Sequence, residues 1–385
     1  MAKVFMMMSG GVDSSVAAAD LVELGHEVIG VFMKCWSIEQ LVSMGADESL
    51  YGCFWEDDVT DARLVASKLK IPFYVWDFQA EYKSGVVDYM LYEYKNGRTP
   101  NPDVMCNSIV KFGIFYKRAM ELGADFVATG HYAKIAQSDD LNQSNPNVSL
   151  GQTILEPKSL KSNKYIARGR DSNKDQSYFL WRVKSAQIQK TLFPIGEYQT
   201  KAQVRARAEQ LNLITATKPD SQGLCFIGET PLRALLLQTL GQKNGEILDE
   251  FGTVLGTHLG AFLFTIGQRN GLGLSGGPWF VVRLEIALNQ VIVAHLGQEE
   301  NLMGAKLLAK EINWQIQTYG NQATFSCQAQ IRYRQEAVNC TVEMQSPDAL
   351  EVSFVEPVRA ISPGQSIVFY DGQTMLGGAV IQSKL

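Results

Sequence analysis

The 385-residue chain contains no Cys-x-x-Cys pair, and that absence excludes several chemistries at once. Its six cysteines, Cys35, Cys53, Cys106, Cys225, Cys327 and Cys340, are scattered singly. Neither a zinc ribbon nor a cysteine-ligated iron–sulfur cluster is supported by such spacing. No apolar run is long enough to cross a bilayer, and the first residues lack the apolar core of a signal peptide. A cytoplasmic protein with reduced cysteines is the expectation. Positive charge is not in excess either: the formal net charge is -5, which gives no global footprint for a polyanion partner. Local balance is different between residues 156 and 190, where nine Lys/Arg face three acids. A solvated charged face and a polyanion contact are both open readings of that stretch. No internal repeat is visible.

What is present is the composition of an ordinary globular protein, 46% hydrophobic and 19% charged, long enough for two or three domains. Strand and helix signals alternate in the first third. Residues 3–8, 27–33, 72–78 and 126–135 read as strands, and 12–24, 57–69, 82–94 and 106–122 as helices. A repeated βα pattern of this kind predicts an α/β, doubly wound, mostly parallel sheet with its ligand site beyond the carboxyl ends of the strands. Residues 137–163, rich in Gln, Asn, Ser and Asp, read as a surface insertion, and 185–192 and 201–211 as further helices. From about residue 215 the texture changes to glycine-rich with short apolar runs, and from about 304 it becomes strongly β with regular turns, a pattern for a small barrel or sandwich. The expected domains are 1–214, 215–300 and 301–385.

The junction between the first strand and first helix reads Ser9-Gly10-Gly11-Val12-Asp13-Ser14-Ser15. Adjacent glycines let backbone N–H groups turn inward, and the helix amino terminus adds positive potential, so the string can cradle a phosphate, although a tight turn explains the bare Ser-Gly-Gly equally well. Neither G-x-x-x-x-G-K-[ST] nor G-x-G-x-x-G occurs, which separates it from the Walker and dinucleotide loops. The string resembles the PP-loop of the ATP pyrophosphatases, which hold the pyrophosphate of ATP while AMP passes to a substrate. That resemblance implies adenylation and leaves the acceptor open.

Two cysteines have unusual surroundings. In GRTPNPDVMCN, two prolines fix an extended segment, Asp103 stands three residues before Cys106, and Cys106 falls at an expected helix start, where the dipole lowers a thiol pKa. In DSQGLCFIG, Cys225 lies between glycines in an expected loop. A capped helix start and a packing cysteine explain each on the residues alone. Two reactive thiols beside an adenylating loop point instead to sulfur transfer.

Taken together, SGGVDSS, GRTPNPDVMCNSIVKFG, ATGHYAKI, KDQSYFL, DSQGLCFIG, FTIGQRNGLG and SPGQ, in this order across nearly the whole chain, resemble the tRNA-specific 2-thiouridylase family of PP-loop enzymes. The resemblance implies ATP-dependent replacement of the C2 oxygen of the wobble uridine by sulfur delivered as a persulfide. It implies ATP as substrate with Mg2+, tRNA as partner, and a sulfur-relay protein or cysteine desulfurase as donor. It places the ATP site on Met7, Met8, Ser9, Gly10, Gly11, Val12, Asp13, Ser14, Met33 and Gly130. Cys106 becomes the nucleophile, Cys225 the persulfide carrier and Asp103 the proton-transfer group, with sulfide release or a transient Cys106–Cys225 disulfide. Contacts to tRNA fall on Asn101, Pro102, Asp103, His131, Lys174, Asp175, Gln176, Arg332, Tyr333 and Gln365. Met7 stands where the family commonly has a small residue, and the 137–163 insertion is longer than the pattern leads one to expect. For Cys35, Cys53, Cys327, Cys340, His26, His258 and His295, structural roles are expected. The alternative is another PP-loop adenylating enzyme, such as a tRNA lysidine synthetase or an amidotransferase-type synthetase, which has no need of two cysteines. A nucleotide-binding module without catalysis is a second alternative.

Overall fold

The computed structural model describes residues 1–37, 54–137, 163–220 and 232–385. Cys53, Cys225 and nearly all of the 137–163 insertion lie outside the described residues. The first sheet is built from β1 (Lys3–Met7), β2 (Glu27–Lys34), β3 (Phe73–Asp77), β4 (Phe126–Ala128) and β7 (Thr191–Leu192). Its spatial order is β3-β2-β1-β4-β7, and every pairing is parallel. Strand order therefore reverses between β1 and β4, and the crevice at their carboxyl ends is where such sheets bind ligands.

The side chains of β1 show why the sheet is covered on both sides. With a period of two, Phe5 and Met7 point into one core, while Val4, Met6 and Met8 point into another. The second core is closed by α1 (Val12–Glu23), α2 (Phe54–Leu69) and α6 (Lys201–Gln210), through Val12, Val16, Ala62, Val65, Val204 and Ala208. The first is closed by two long helical runs, α3 (79–95) and α4 (102–121), through Tyr82, Val86, Met90, Val110, Phe112 and Phe115. Both runs contain a π-wound stretch, Lys83–Val87 in α3 and Cys106–Phe115 in α4. The doubly wound fold expected from the sequence is the fold found.

One expected strand is in fact two. Residues 126–135 read as a single strand, yet β4 stops at Ala128 and β5 (Ala133–Gln137) leaves the parallel sheet altogether. β5 pairs with β6 (Lys164–Arg168), and β6 pairs with the carboxyl-terminal strand β17 (Thr374–Lys384) through Thr374 and Ala167. The break covers Thr129, Gly130, His131 and Tyr132, directly above the switch point. A similar difference occurs at 185–192, where a short helix, Ser185–Ile188, gives way to β7.

The central region folds a four-stranded sheet from β8 (Gly245–Asp249), β9 (Val254–His258), β10 (Trp279–Glu285) and β11 (Gln290–His295) over its own small core. Beyond it, β12 (Met303–Trp314), β13 (Thr324–Gln330), β14 (Val338–Ser346), β15 (Ala349–Arg359), β16 (Ser366–Asp371) and β17 form a six-stranded barrel, closed by β12 pairing with both β15 and β17. Closure removes the unpaired edges that would otherwise invite association. Trp181, fully buried, seats the barrel on the first domain and donates from Nε1 to Ser366 Oγ at 2.9 Å.

Candidate functional site

The turn after β1 is shaped by its glycines and hydroxyls. Gly10 has φ +77°, and a Cβ there would overlap the Asp58 carbonyl oxygen of α2. Only glycine satisfies both conditions without strain. Gly11 caps α1 in an extended conformation. Ser14 Oγ accepts from Ser9 N–H at 3.1 Å and donates to Gly11 O at 3.1 Å, and Ser15 Oγ donates to the same carbonyl at 2.8 Å. The hydroxyls thus hold the loop around the helix amino terminus, whose free N–H groups suit an anion. Gly130, just past β4, comes so close that a Cβ on it would stand 2.8 Å from Ser14 N. Met7 packs away in the α3–α4 core, 5% exposed.

Asp13 brings a negative charge to this amino terminus, and the structure neutralises it. Lys201 Nζ lies 2.7 and 2.8 Å from its carboxylate oxygens, and the Tyr132 hydroxyl donates to it at 2.7 Å. Lys201 also reaches Asp220 at 2.9 Å, where Lys174 and Arg205 converge at the same distance. Burial alone would raise the Asp220 carboxyl, but hydrogen bonds from Lys174 and Lys201 outweigh it and hold it at about 2. Tyr132 and Lys201 were not singled out from sequence. Tyr132 stood inside a quoted motif, while Lys201 has no local signal, being brought in by α6 from far along the chain.

The Asp103–Cys106 segment opens the helical run α4. Asn101 caps its helix, accepting from Val104 N–H at 3.2 Å with Pro102 in the first turn. The helix begins at Pro102, so Cys106 lies one turn inside it rather than at its start. The sequence-based dipole argument for this thiol is correspondingly weakened. Five residues past Cys106 the same helical run carries Lys111. Lys111 Nζ is 3.4 Å from His131 Nε2, and His131 Nδ1 is 2.7 Å from Thr129 Oγ1. Burial and the Lys111 charge push His131 well below its ordinary pKa, which keeps the ring neutral. Burial raises the Asp103 carboxyl, with Lys111 pulling against it. Burial likewise pushes the Cys35 thiol, just past β2, well up; Cys106, Asp77 and Glu81 act in the same direction and Lys111 opposes them. A continuous path thus runs from the loop through Gly130 and His131 to Lys111 and the Asp103–Cys106 segment.

Residues 98–101 are gripped by the other two regions. Thr99 N–H donates to Pro363 O at 2.8 Å, and Gln365 Nε2 donates to Thr99 O and Pro100 O at 3.0 and 3.1 Å. Thr99 Oγ1 is 3.1 Å from Thr265 Oγ1 of the central region, and Arg98 donates to Gln382 Oε1 at 3.1 Å.

Several residues expected at a polynucleotide surface are engaged inside the protein. Asp175 accepts from Arg168, Gly169 N–H and Ser177, Gln176 Oε1 accepts from Tyr132 N–H at 3.0 Å, and Lys174 pairs with Asp220. Arg332 donates to Ile266 O and Ser362 Oγ, both at 2.6 Å, strapping the central region to the barrel. Tyr333 packs on Phe179 with ring centroids 4.4 Å apart. Met33 lies half-buried at the carboxyl end of β2.

Three family models match in series: a tRNA methyl transferase HUP domain over residues 2–229, a tRNA methyl transferase PRC-barrel domain over 233–295, and an aminomethyltransferase beta-barrel domain over 304–381. Among curated proteins, the tRNA-specific 2-thiouridylase MnmA of Klebsiella pneumoniae subsp. pneumoniae is 42% identical over 100% of this chain and 97% of its own length. The protein of the same name from Staphylococcus saprophyticus is 42% identical over 98% of this chain and 95% of its own, and that from Escherichia coli is 41% identical over 100% and 97%.

Proposed function

The chain belongs to the tRNA-specific 2-thiouridylase family, and on that premise we propose that it replaces the C2 oxygen of the wobble uridine of tRNA by sulfur at the expense of ATP. The observation that carries this reading is the whole-length match, supported by contacts that run from Ser14 to Gly130 and from His131 to Lys111, on the helix that also carries Asp103 and Cys106. The domain descriptions speak of methyl transfer, but the relatives that match from end to end are thiouridylases.

In the proposed reaction the loop amides and the amino terminus of α1 hold the β- and γ-phosphates of ATP. The uridine C2 oxygen attacks the α-phosphorus, pyrophosphate leaves, and C2 carries an AMP leaving group. A Cys225 persulfide, charged by a cysteine desulfurase or sulfur-relay protein, presents its inner sulfur to the Cys106 thiolate. The new Cys106–Cys225 bond forms, the terminal sulfur departs as hydrosulfide with the bonding pair, and that sulfide adds to C2 as AMP leaves. An external thiol reduces the disulfide between turnovers. Asp103 serves proton transfer at the base. For its chemistry the uridine is flipped out of the anticodon stack. Magnesium fits only as a companion of the nucleotide's phosphates: no group of three His, Cys, Asp or Glu is assembled among the described residues, and Asp13 is engaged by Lys201 and Tyr132.

Incubation with tRNA, ATP and sulfide, followed by nucleoside mass spectrometry, tests this reading. Formation of 2-thiouridine with one AMP and one pyrophosphate per thiolated base is expected; AMP release with lysidine or no sulfur product would overturn it.

Two residues give signed predictions. Because burial raises the Asp103 carboxyl, folded Asp103 keeps its proton at pH values where the unfolded chain has lost it, and its contribution to stability falls as pH rises through that window. Asp103→Asn is therefore expected to raise Tm at neutral pH while lowering kcat at least about tenfold; a lowered Tm with unchanged kcat would contradict the assignment. For Gln365, the structure and the family resemblance lead to different kinetics. Loss of its bonds to Thr99 and Pro100 costs about 1–3 kcal/mol of order in the segment that carries Asp103. Gln365→Ala is expected to lower kcat about tenfold with little change in KM for tRNA, whereas a residue that contacts tRNA would raise KM instead.

A further inference from the structure

Lys111 was absent from every motif-based assignment, yet it meets His131 and acts on Asp103 and Cys35 as well. It lies in the π-wound part of α4, and in that winding the backbone repeat joins residue i to i+5. Cys106 opens the stretch and Lys111 is five residues on, so both stand on one side of the helix. An α-helical turn would have rotated them apart. The common neighbour Cys35 senses both, one raising and one opposing its pKa. Asp103 on α4, His131 after β4 and Cys35 after β2 all feel the Lys111 charge.

The neighbours are arranged so that the lysine charge is not spent on them. Lys111 is half-buried, and its hydrogen-bond partner, His131 Nε2 at 3.4 Å, is a ring held neutral. Among the described residues no carboxylate lies within ion-pair distance of it. Asp77 and Glu81 act on Cys35 but form no such pair with Lys111, and burial favours the neutral forms of Asp103 and Cys35. A half-buried ammonium without a carboxylate at ion-pair distance stabilises whatever anion forms beside it.

We propose that Lys111 is the positioning cation of the site, holding the sulfur of Cys106 as a thiolate so that it can attack the persulfide. The role rests on the sulfur-relay reading above. The thiol proton goes to solvent, and Lys111 itself keeps its protons throughout. Thr129 supports it, because a Thr129–His131 bond fixes the ring that Lys111 Nζ meets.

The test is the pH profile of Cys106 alkylation by iodoacetamide, read by peptide mass spectrometry on the whole protein without ATP or tRNA. At pH 7, Lys111→Met is expected to slow alkylation at least about tenfold and to move the midpoint upward by about one pH unit or more, with the rates converging in strong alkali. Lys111→Arg, which keeps the charge, is expected to retain most of the wild-type rate and also guards against a mere folding effect of the methionine. Equal profiles in wild type and Lys111→Met overturn the inference, as does a wild-type Cys106 that alkylates only with the profile of an ordinary thiol. Failure of the wild-type protein to make 2-thiouridine overturns the proposed function instead, since the alkylation profile is measured apart from turnover.

Discussion

Cys106→Ser, supplied with a protein persulfide donor, is expected to form no measurable 2-thiouridine, a loss of at least about 1,000-fold, while still releasing pyrophosphate from ATP when tRNA is present. The two activities separate because, in the proposed reaction, the thiol acts only after the base has been activated. A serine hydroxyl at this place has no thiolate to break a persulfide bond, and Lys111 cannot ionise an alcohol at neutral pH. Cys225→Ser is expected to behave in the same way with a protein persulfide donor. Nucleoside mass spectrometry and a pyrophosphate assay on the same samples check both, and full thiolation by either serine variant with the persulfide donor removes the sulfur relay from consideration.

Gly130→Val is expected to have the second largest effect, at the opposite end of the chemistry. A side chain there would be driven against Ser14 N at 2.8 Å, closing the cradle from the β4 side. Each charge-assisted bond lost to a phosphate oxygen is worth about 1.5–3 kcal/mol, or about 10- to 100-fold in affinity. Calorimetric titration with ATP is expected to show affinity reduced by at least about 100-fold, with the barrel and central sheet intact by hydrogen exchange. Wild-type affinity in this variant would place the nucleotide elsewhere.

The parts of this site that lie on one short stretch were legible in the sequence, and the parts assembled by tertiary geometry were not. Ser9–Ser15 was legible because the full string, glycine pair with hydroxyls at a strand-to-helix junction, lies on seven consecutive residues and resembles the PP-loop. The β4–β5 break did not, because residues 126–135 stay apolar across Thr129 and Gly130 and nothing in periodicity marks a change of sheet. Lys111 escaped notice since helical reasoning assumes 3.6 residues per turn, and the π winding of Cys106–Phe115 shifts which side chains share a face. Gln365 was legible as a motif residue and Arg332 through the family resemblance, but only the folded structure shows their side chains holding Thr99, Pro100 and the central region. Met7, the odd residue of the loop motif, is accounted for by strand alternation: it faces the α3–α4 core.

The clamp on Thr99 and Pro100 has a consequence for the order in which this protein comes into being. Gln365 is separated by 266 and 265 residues from the carbonyls it holds. During synthesis the phosphate loop and Cys106 emerge early and their parallel sheet folds first. The grip that fixes the segment bearing Asp103 must wait for the last strands of the barrel, and contacts so distant in sequence form late. A nascent chain would accordingly carry its nucleotide cradle before its base-reacting segment is set. The segment is fixed only once Gln365, between β15 and β16, has been placed by the barrel strands around it.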